Sequence, residues 1–91
     1  MRFMNITGIK IRKLMENGRL KGIVSVTFDD VFAVHDIKIV QGDKRLFVAM
    51  PSRRDEYGEY RDIVHPITHE ARTEIEERIL EAFREEKERM Q

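Results

Sequence analysis

The stretch Val31 to Val40, VFAVHDIKIV, constrains the fold most, because plain alternation leaves it apolar on both faces. At period two, Val31, Ala33, Ile37 and Ile39 fall on one side with His35 among them, and Phe32, Val34 and Val40 on the other. The preceding strand-like run, Arg19 to Phe28, places Leu20, Val24, Val26 and Phe28 on one face and Ile23 opposite. Such a sheet needs cover on both faces. The chain has a single amphipathic helix to offer, with Ala71, Ile75, Ile79, Leu80, Ala82 and Phe83 spaced three and four apart. One helix covers one face. A second copy is the economical cover for the other, so the pattern predicts a homodimer, with two-fold symmetry as the default.

The other elements follow from punctuation. Ile6 to Leu14 alternates Ile9 and Ile11 against Lys10 and Arg12, as a half-buried strand does. Asn17-Gly18 predicts a type I′ hairpin turn, since both residues tolerate positive φ. Asp29-Asp30 and Gln41-Gly42-Asp43-Lys44 are further turns, and Leu46 to Met50 is a fourth strand that Pro51 stops. Ser52 to Gly58 reads as a charged loop, and Glu59 to His65 as a fifth strand closed by Pro66. Thr68 is placed to cap the helix, with Glu70 at its positive end. The pairs Glu74/Arg78 and Glu85/Arg89 are at the supportive i,i+4 spacing. The expected architecture is α+β: an antiparallel meander of about five strands, then one C-terminal helix, in a single domain over residues 1–91. Met1 to Phe3 read as an extension ahead of a second methionine, Met4, and residues 84–91 as a polar helix end.

Net charge is zero, but it is segregated. Residues 1–54 hold 11 Lys and Arg against 5 Asp and Glu, and residues 55–91 hold 6 against 12. A basic half suits phosphate, while an acidic half repels it. Cysteine is absent, which removes disulfides and thiolate metal ligands and fits a cytoplasmic setting. No apolar run approaches the roughly 18–20 residues of a membrane span.

Chemistry is sparse. His35-Asp36 and Asp62…His65 are the one set that could converge as metal ligands, but no ligand-spaced motif accompanies them. The ordinary reading puts His35 at a sheet position and His65 at a strand end. His69, in the first helical turn, reads as exposed. Ser52 and Ser25 lack a nucleophile elbow, and no Gly-rich phosphate loop occurs, so neither an enzyme nor a cofactor or metal is expected. Arginines are the better candidates: Arg53 and Arg54 in the loop, Arg61 on the next strand and Arg72 in the first helical turn. The planar guanidinium suits bidentate phosphate contacts. The opposing reading pairs Arg53 or Arg61 with Asp55, Glu59 or Asp62 to pin the loop. Lys10, Arg12, Lys13, Arg19 and Lys21 on the first hairpin could extend the basic surface. With only Tyr57 and Tyr60 as tyrosines, no aromatic stacking platform is evident.

The run FVAMPSRR, a short loop ending at Gly58, and YRDIVHPI resemble the signature of the SpoVG family of sporulation and septation proteins. Asn5 to Arg12 and Phe32 to Ile37 fit the same pattern, so the resemblance spans about Met4 to Phe83. It implies a dimeric, non-enzymatic regulator of septation, sporulation or gene expression that binds DNA and, in some members, RNA. Members of the family look to use an Arg-x-Lys at the start of the last helix. Here that site is Arg72-Thr73-Glu74, so Arg72 matches while Glu74 replaces the second cation. The departure shifts the expected phosphate contacts toward Arg53, Arg54 and the hairpin. The runner-up is a protein–protein adaptor of the division machinery that does not touch nucleic acid.

Overall fold

The computed structural model describes residues 5–89, which leaves the extension at Met1 to Phe3 and the last two residues of the polar helix end outside the described residues. Strands β1 (Ile6–Leu14), β2 (Leu20–Phe28), β3 (Phe32–Gln41) and β4 (Leu46–Ala49) form one antiparallel sheet in sequence order. Strands β5 (Ser52–Arg54) and β6 (Tyr60–Asp62) form a separate two-stranded ribbon, and helix α1 (His69–Arg89) closes the chain. The expected α+β meander with one terminal helix is therefore the fold. Its fifth strand is not as expected. Glu59 to His65 contracts to Tyr60–Asp62, and it pairs with Ser52–Arg54, which the sequence reads as loop. Pro51 explains the departure, because it has no N–H with which to extend β4 along the sheet. Its carbonyl still accepts from Ile63 N at 2.8 Å, so the ladder resumes at once as a ribbon.

Turn chemistry sits in a different place from the one expected. At Asn17-Gly18 only Gly18 has positive φ, 82°, and the link is a wider loop closed by Met15 N donating to Lys21 O at 3.0 Å. The type I′ geometry occurs instead at Asp29 and Asp30, with φ of 53° and 58° and Val31 N bonded to Phe28 O at 3.0 Å. Aspartate tolerates this region better than most residues. Bonds to the start of β1 hold it there: Asp29 N to Asn5 O at 2.8 Å and Asp30 N to Thr7 Oγ1 at 2.9 Å.

A bulge in β3 decides which face is which. Val24 lies opposite Ile37 and Val26 opposite Val34, so two steps of β2 face three of β3. Asp36, at φ 64°, takes up the extra residue. Alternation slips by one there, and Val34 joins Ile37 and Ile39 on the helix side, all three buried. Ala33, His35, Lys38 and Val40 occupy the other face. The expectation that β3 is apolar on both sides is thereby corrected. A second bulge, between Leu20 and Gly22 in β2, also moves Leu20 to the face opposite Val24 and Val26.

The core lies under α1, where Ile79 and Phe83 pack on Val24, Val26, Ile37 and Ile39, each at most 2% exposed. Gly22 lies beneath the Phe83 ring, and a Cβ there would crowd Lys13 O at 3.2 Å while meeting the ring at an ordinary 3.5 Å. Thr68 caps the helix as expected, its Oγ1 accepting from Ala71 N at 3.1 Å. Of the expected helical ion pairs, Arg89 turns to Glu86 and not to Glu85. Glu76 closes the outer edge of β4 by accepting from Val48 N at 3.2 Å, and it also meets Arg45 at 3.5 Å. Toward the first turn of α1 the packing opens into an apolar groove of about 220 Å³ lined by Phe28, Phe32, Val34, Met50, Val64 and Ile75. Phe32, Ile63 and Ile67 are 51%, 61% and 87% exposed. Of these, Phe32 lines the groove, so part of the uncovered apolar surface lies on the helix side of the sheet. Among the described residues, no helix is long and apolar enough to cross a membrane.

Candidate nucleic-acid interface

Ribbon geometry sorts the candidate arginines. Register sets Arg53 directly opposite Arg61 and Arg54 opposite Tyr60, so Arg53 and Arg61 share one face of the ribbon. The connecting turn is built on Asp55. Its backbone bonds Glu59 O at 2.8 Å, and its Oδ1 accepts from Tyr57 N at 2.8 Å and Glu59 N at 3.0 Å. Oδ2 accepts from Arg61 Nε at 2.7 Å, and Glu59 lies 3.8 Å from the same guanidinium. Arg61 therefore pins the turn. Arg53 and Arg54 are exposed and have no carboxylate partner among the described residues. Arg54 lies against the turn, its guanidinium 3.4 Å from where a Cβ on Gly58 would sit. That glycine has φ 84°, so a side chain there would be strained. Arg72 is exposed in the first turn of α1, and its backbone N bonds Thr68 O at 3.1 Å. No ion pair or hydrogen bond links the four arginines to one another among the described residues.

The Arg61 bond, reinforced by the Glu59 and Tyr57 amides, holds the Asp55 carboxyl below the usual carboxylate range. The sign follows from linkage. A carboxyl depressed in the folded state adds stability above its unfolded pKa and loses it as pH falls through the folded one. The turn is thus fully supported at neutral pH and loosens only in acid. In a side-chain NMR titration, Asp55 should titrate below the roughly 3.9 of a free aspartate, and the Tyr57 and Glu59 amides should follow the same midpoint. A midpoint at or above that value would refute the Asp55–Arg61 pin.

The histidines do not converge. His35 lies on the face of the sheet that α1 leaves uncovered, where its Nδ1 meets Ser25 Oγ at 2.8 Å. His65 lines the groove on the helix side, with its Nδ1 near Pro66 O at 3.2 Å. The sheet separates the two, so the ligand set considered from the sequence is not assembled.

The hairpin cations divide as well. Arg19 pairs with Asp43 at 3.0 Å, and Lys21 Nζ donates to Glu16 O at 3.1 Å. Lys10 lies opposite Ser25, and Lys13 opposite Ile23, on the uncovered face. Lys38 joins them there, opposite Ile23 from the β3 side. The sequence reading had not singled out Lys38, because its face depends on the bulge at Asp36. The one available signal was the polar pair His35-Asp36 interrupting an apolar run.

With this geometry in view, the chain matches the SpoVG family over residues 4–85. A protein of Desulforudis audaxviator named "Putative septation protein SpoVG" is 58% identical over 80 residues, covering 88% of this chain and 91% of its own. The protein of that name from Heliobacterium modesticaldum is 56% identical over 82 residues, covering 90% and 92%. The one from Clostridioides difficile is 51% identical over 82 residues, covering 90% and 89%. Identity at this level over most of both chains, together with the family match over residues 4–85, shows that the chain belongs to the SpoVG family.

Proposed function

We propose that this chain is a non-enzymatic, nucleic-acid-binding regulator linked to septation and to sporulation or gene expression, acting as a cytoplasmic homodimer on DNA and on RNA. The septation link is supported by the names its relatives carry. The observation that carries nucleic-acid binding is the ribbon, where Arg53 and Arg54 stand exposed on a short strand whose turn is fixed by Asp55 and Arg61. Guanidinium groups on a fixed scaffold lose less freedom when they take a phosphate than groups on a loose loop do. Arg72 adds a cation at the helix start, and Arg61 chiefly holds the turn. Support for a homodimer comes from the exposed Phe32 lining the groove and the exposed Ile63 and Ile67, which a second copy would cover.

The test is a fluorescence-anisotropy titration of short labelled DNA and RNA against salt, with the protein sized in parallel by sedimentation. Wild type should bind as a dimer, and log affinity should fall linearly with log salt. Arg53→Ala with Arg54→Ala should weaken binding about tenfold or more and reduce the salt slope by about one to two. Absence of binding at about 50 mM salt would overturn this reading in favour of an adaptor of the division machinery.

A further inference from the structure

The face of the sheet that α1 leaves uncovered carries cations in rows. Lys10 of β1 and His35 of β3 flank Ser25 of β2. Lys13 and Lys38 flank Ile23 one pair further along. Strand spacing puts the Lys13 and Lys38 backbones roughly 9–10 Å apart, close enough for flexible ammonium groups to serve one strand of polyanion. All three lysines are exposed, and none has a carboxylate partner among the described residues. Asp36 is the single carboxylate lining the depression formed here by Arg12, Lys13, Ile23, Ser25 and His35.

At its centre is a hub. Ser25 is 7% exposed, unusual for a hydroxyl on an otherwise open face. Its oxygen accepts from Arg12 Nε at 3.1 Å and lies 2.8 Å from His35 Nδ1. A hydroxyl has one hydrogen and two lone pairs, so Ser25 can accept from Arg12 and bond the imidazole in either tautomer. Arg12 is then anchored through Nε while both terminal amino groups remain unbonded among the described residues. The His35 Nε2 is likewise without a partner among them. Two free arginine amino groups, a lysine and an imidazole around one shallow depression outnumber its single carboxylate, Asp36, which suits an anion.

We propose that this uncovered face is a second nucleic-acid surface, in which a backbone phosphate is held by Arg12, Lys13 and His35 while Ser25 fixes the arginine and Lys10 and Lys38 flank the strand. The inference rests on the nucleic-acid reading above and adds a surface separate from the ribbon. The bulge at Asp36 makes it possible, since the same slip that buries Val34 presents His35 and Lys38 on this side. Readout is of phosphate and not of base, so binding here is tolerant of sequence.

The test uses labelled single-stranded DNA and RNA of about 20 nucleotides with three proteins: wild type, Lys10→Ala/Arg12→Ala/Lys38→Ala, and Arg53→Ala/Arg54→Ala. The sheet-face variant should bind at least about tenfold more weakly, with a salt slope shallower by about two, since each lost single-strand phosphate contact removes roughly 0.7. The lysines lose no bond and Arg12 loses one, to Ser25, so its thermal melt should stay within about 5 °C of wild type. Ser25→Ala keeps every cation but frees Arg12, and it should weaken binding several-fold with little change in salt slope. Amide chemical-shift mapping on the unmutated protein should move Lys10, Ser25, His35 and Lys38 on adding oligonucleotide. A sheet-face variant that binds within about twofold of wild type, or shifts confined to the ribbon and the start of α1, overturns the second surface while leaving the ribbon reading intact. No binding by wild type at about 50 mM salt overturns both.

Discussion

Phe83→Ala should lower the unfolding free energy by about 3–5 kcal/mol, the range for removing a buried aromatic side chain. Phe83 is 2% exposed and stands over Gly22, while Lys87 covers its outer side at 5.5 Å from the ring centre. The buried residues of the helix are this one and Ile79, so the loss falls on the helix's cover of the core. A domain of this size has total stability on the order of 5–15 kcal/mol, and the melting temperature should drop by at least about 12 °C. Circular dichroism melts of wild type and variant decide the matter. A change under about 1 kcal/mol would mean that the helix does not hold the sheet as described.

Asp36 should show opposite responses to two substitutions. Its φ of 64° is the backbone of the β3 bulge, and no β-branched residue enters that region without strain. Asp36→Val should destabilise the fold by about 1–3 kcal/mol, either as strain at the bulge or as a slip that turns Val34 out of the core. Asp36→Gly should be neutral or mildly stabilising, because glycine adopts this conformation freely. Urea titration gives the two free energies, and the Val34 methyl resonances report whether the register has held. Equal losses for both variants would show that the Asp36 side chain matters and that its backbone conformation does not.

Local signals carried most of the fold. The β1 and β4 runs, the Thr68 cap and the spacing of Ile75, Ile79 and Phe83 were legible because each is written within a few consecutive residues. Where the reading departed from the structure, the cause was a shift of register or partner. Period-two counting put Val34 on the wrong face because a bulge adds one residue and leaves no mark on composition. Ser52–Arg54 looked like a loop because short charged strands resemble loops, and only its pairing with Tyr60–Asp62 makes it a strand. Asn17-Gly18 was the stronger turn signal, yet the mirror-image turn formed at Asp29-Asp30, where Asn5 and Thr7 supply bonds from a distant segment.

The candidate site divides along the same line. Arginine chemistry, the segregation of charge and the family signature are properties of the sequence, and they pointed to Arg53, Arg54, Arg61 and Arg72 without any structure. Which of these is tied up was a tertiary matter: Asp55 takes Arg61 and leaves Arg53 and Arg54 without a carboxylate partner. Lys10, Lys13 and Lys38 come from two strands some thirty residues apart, and only the pairing of both with β2 sets them on one face. The sequence by itself determined the four strands of the main sheet, their order and the helix that packs on them, because those depend on neighbours along the chain. The tertiary structure decided which face each side chain takes, because that depends on a one-residue bulge that only cross-strand pairing reveals.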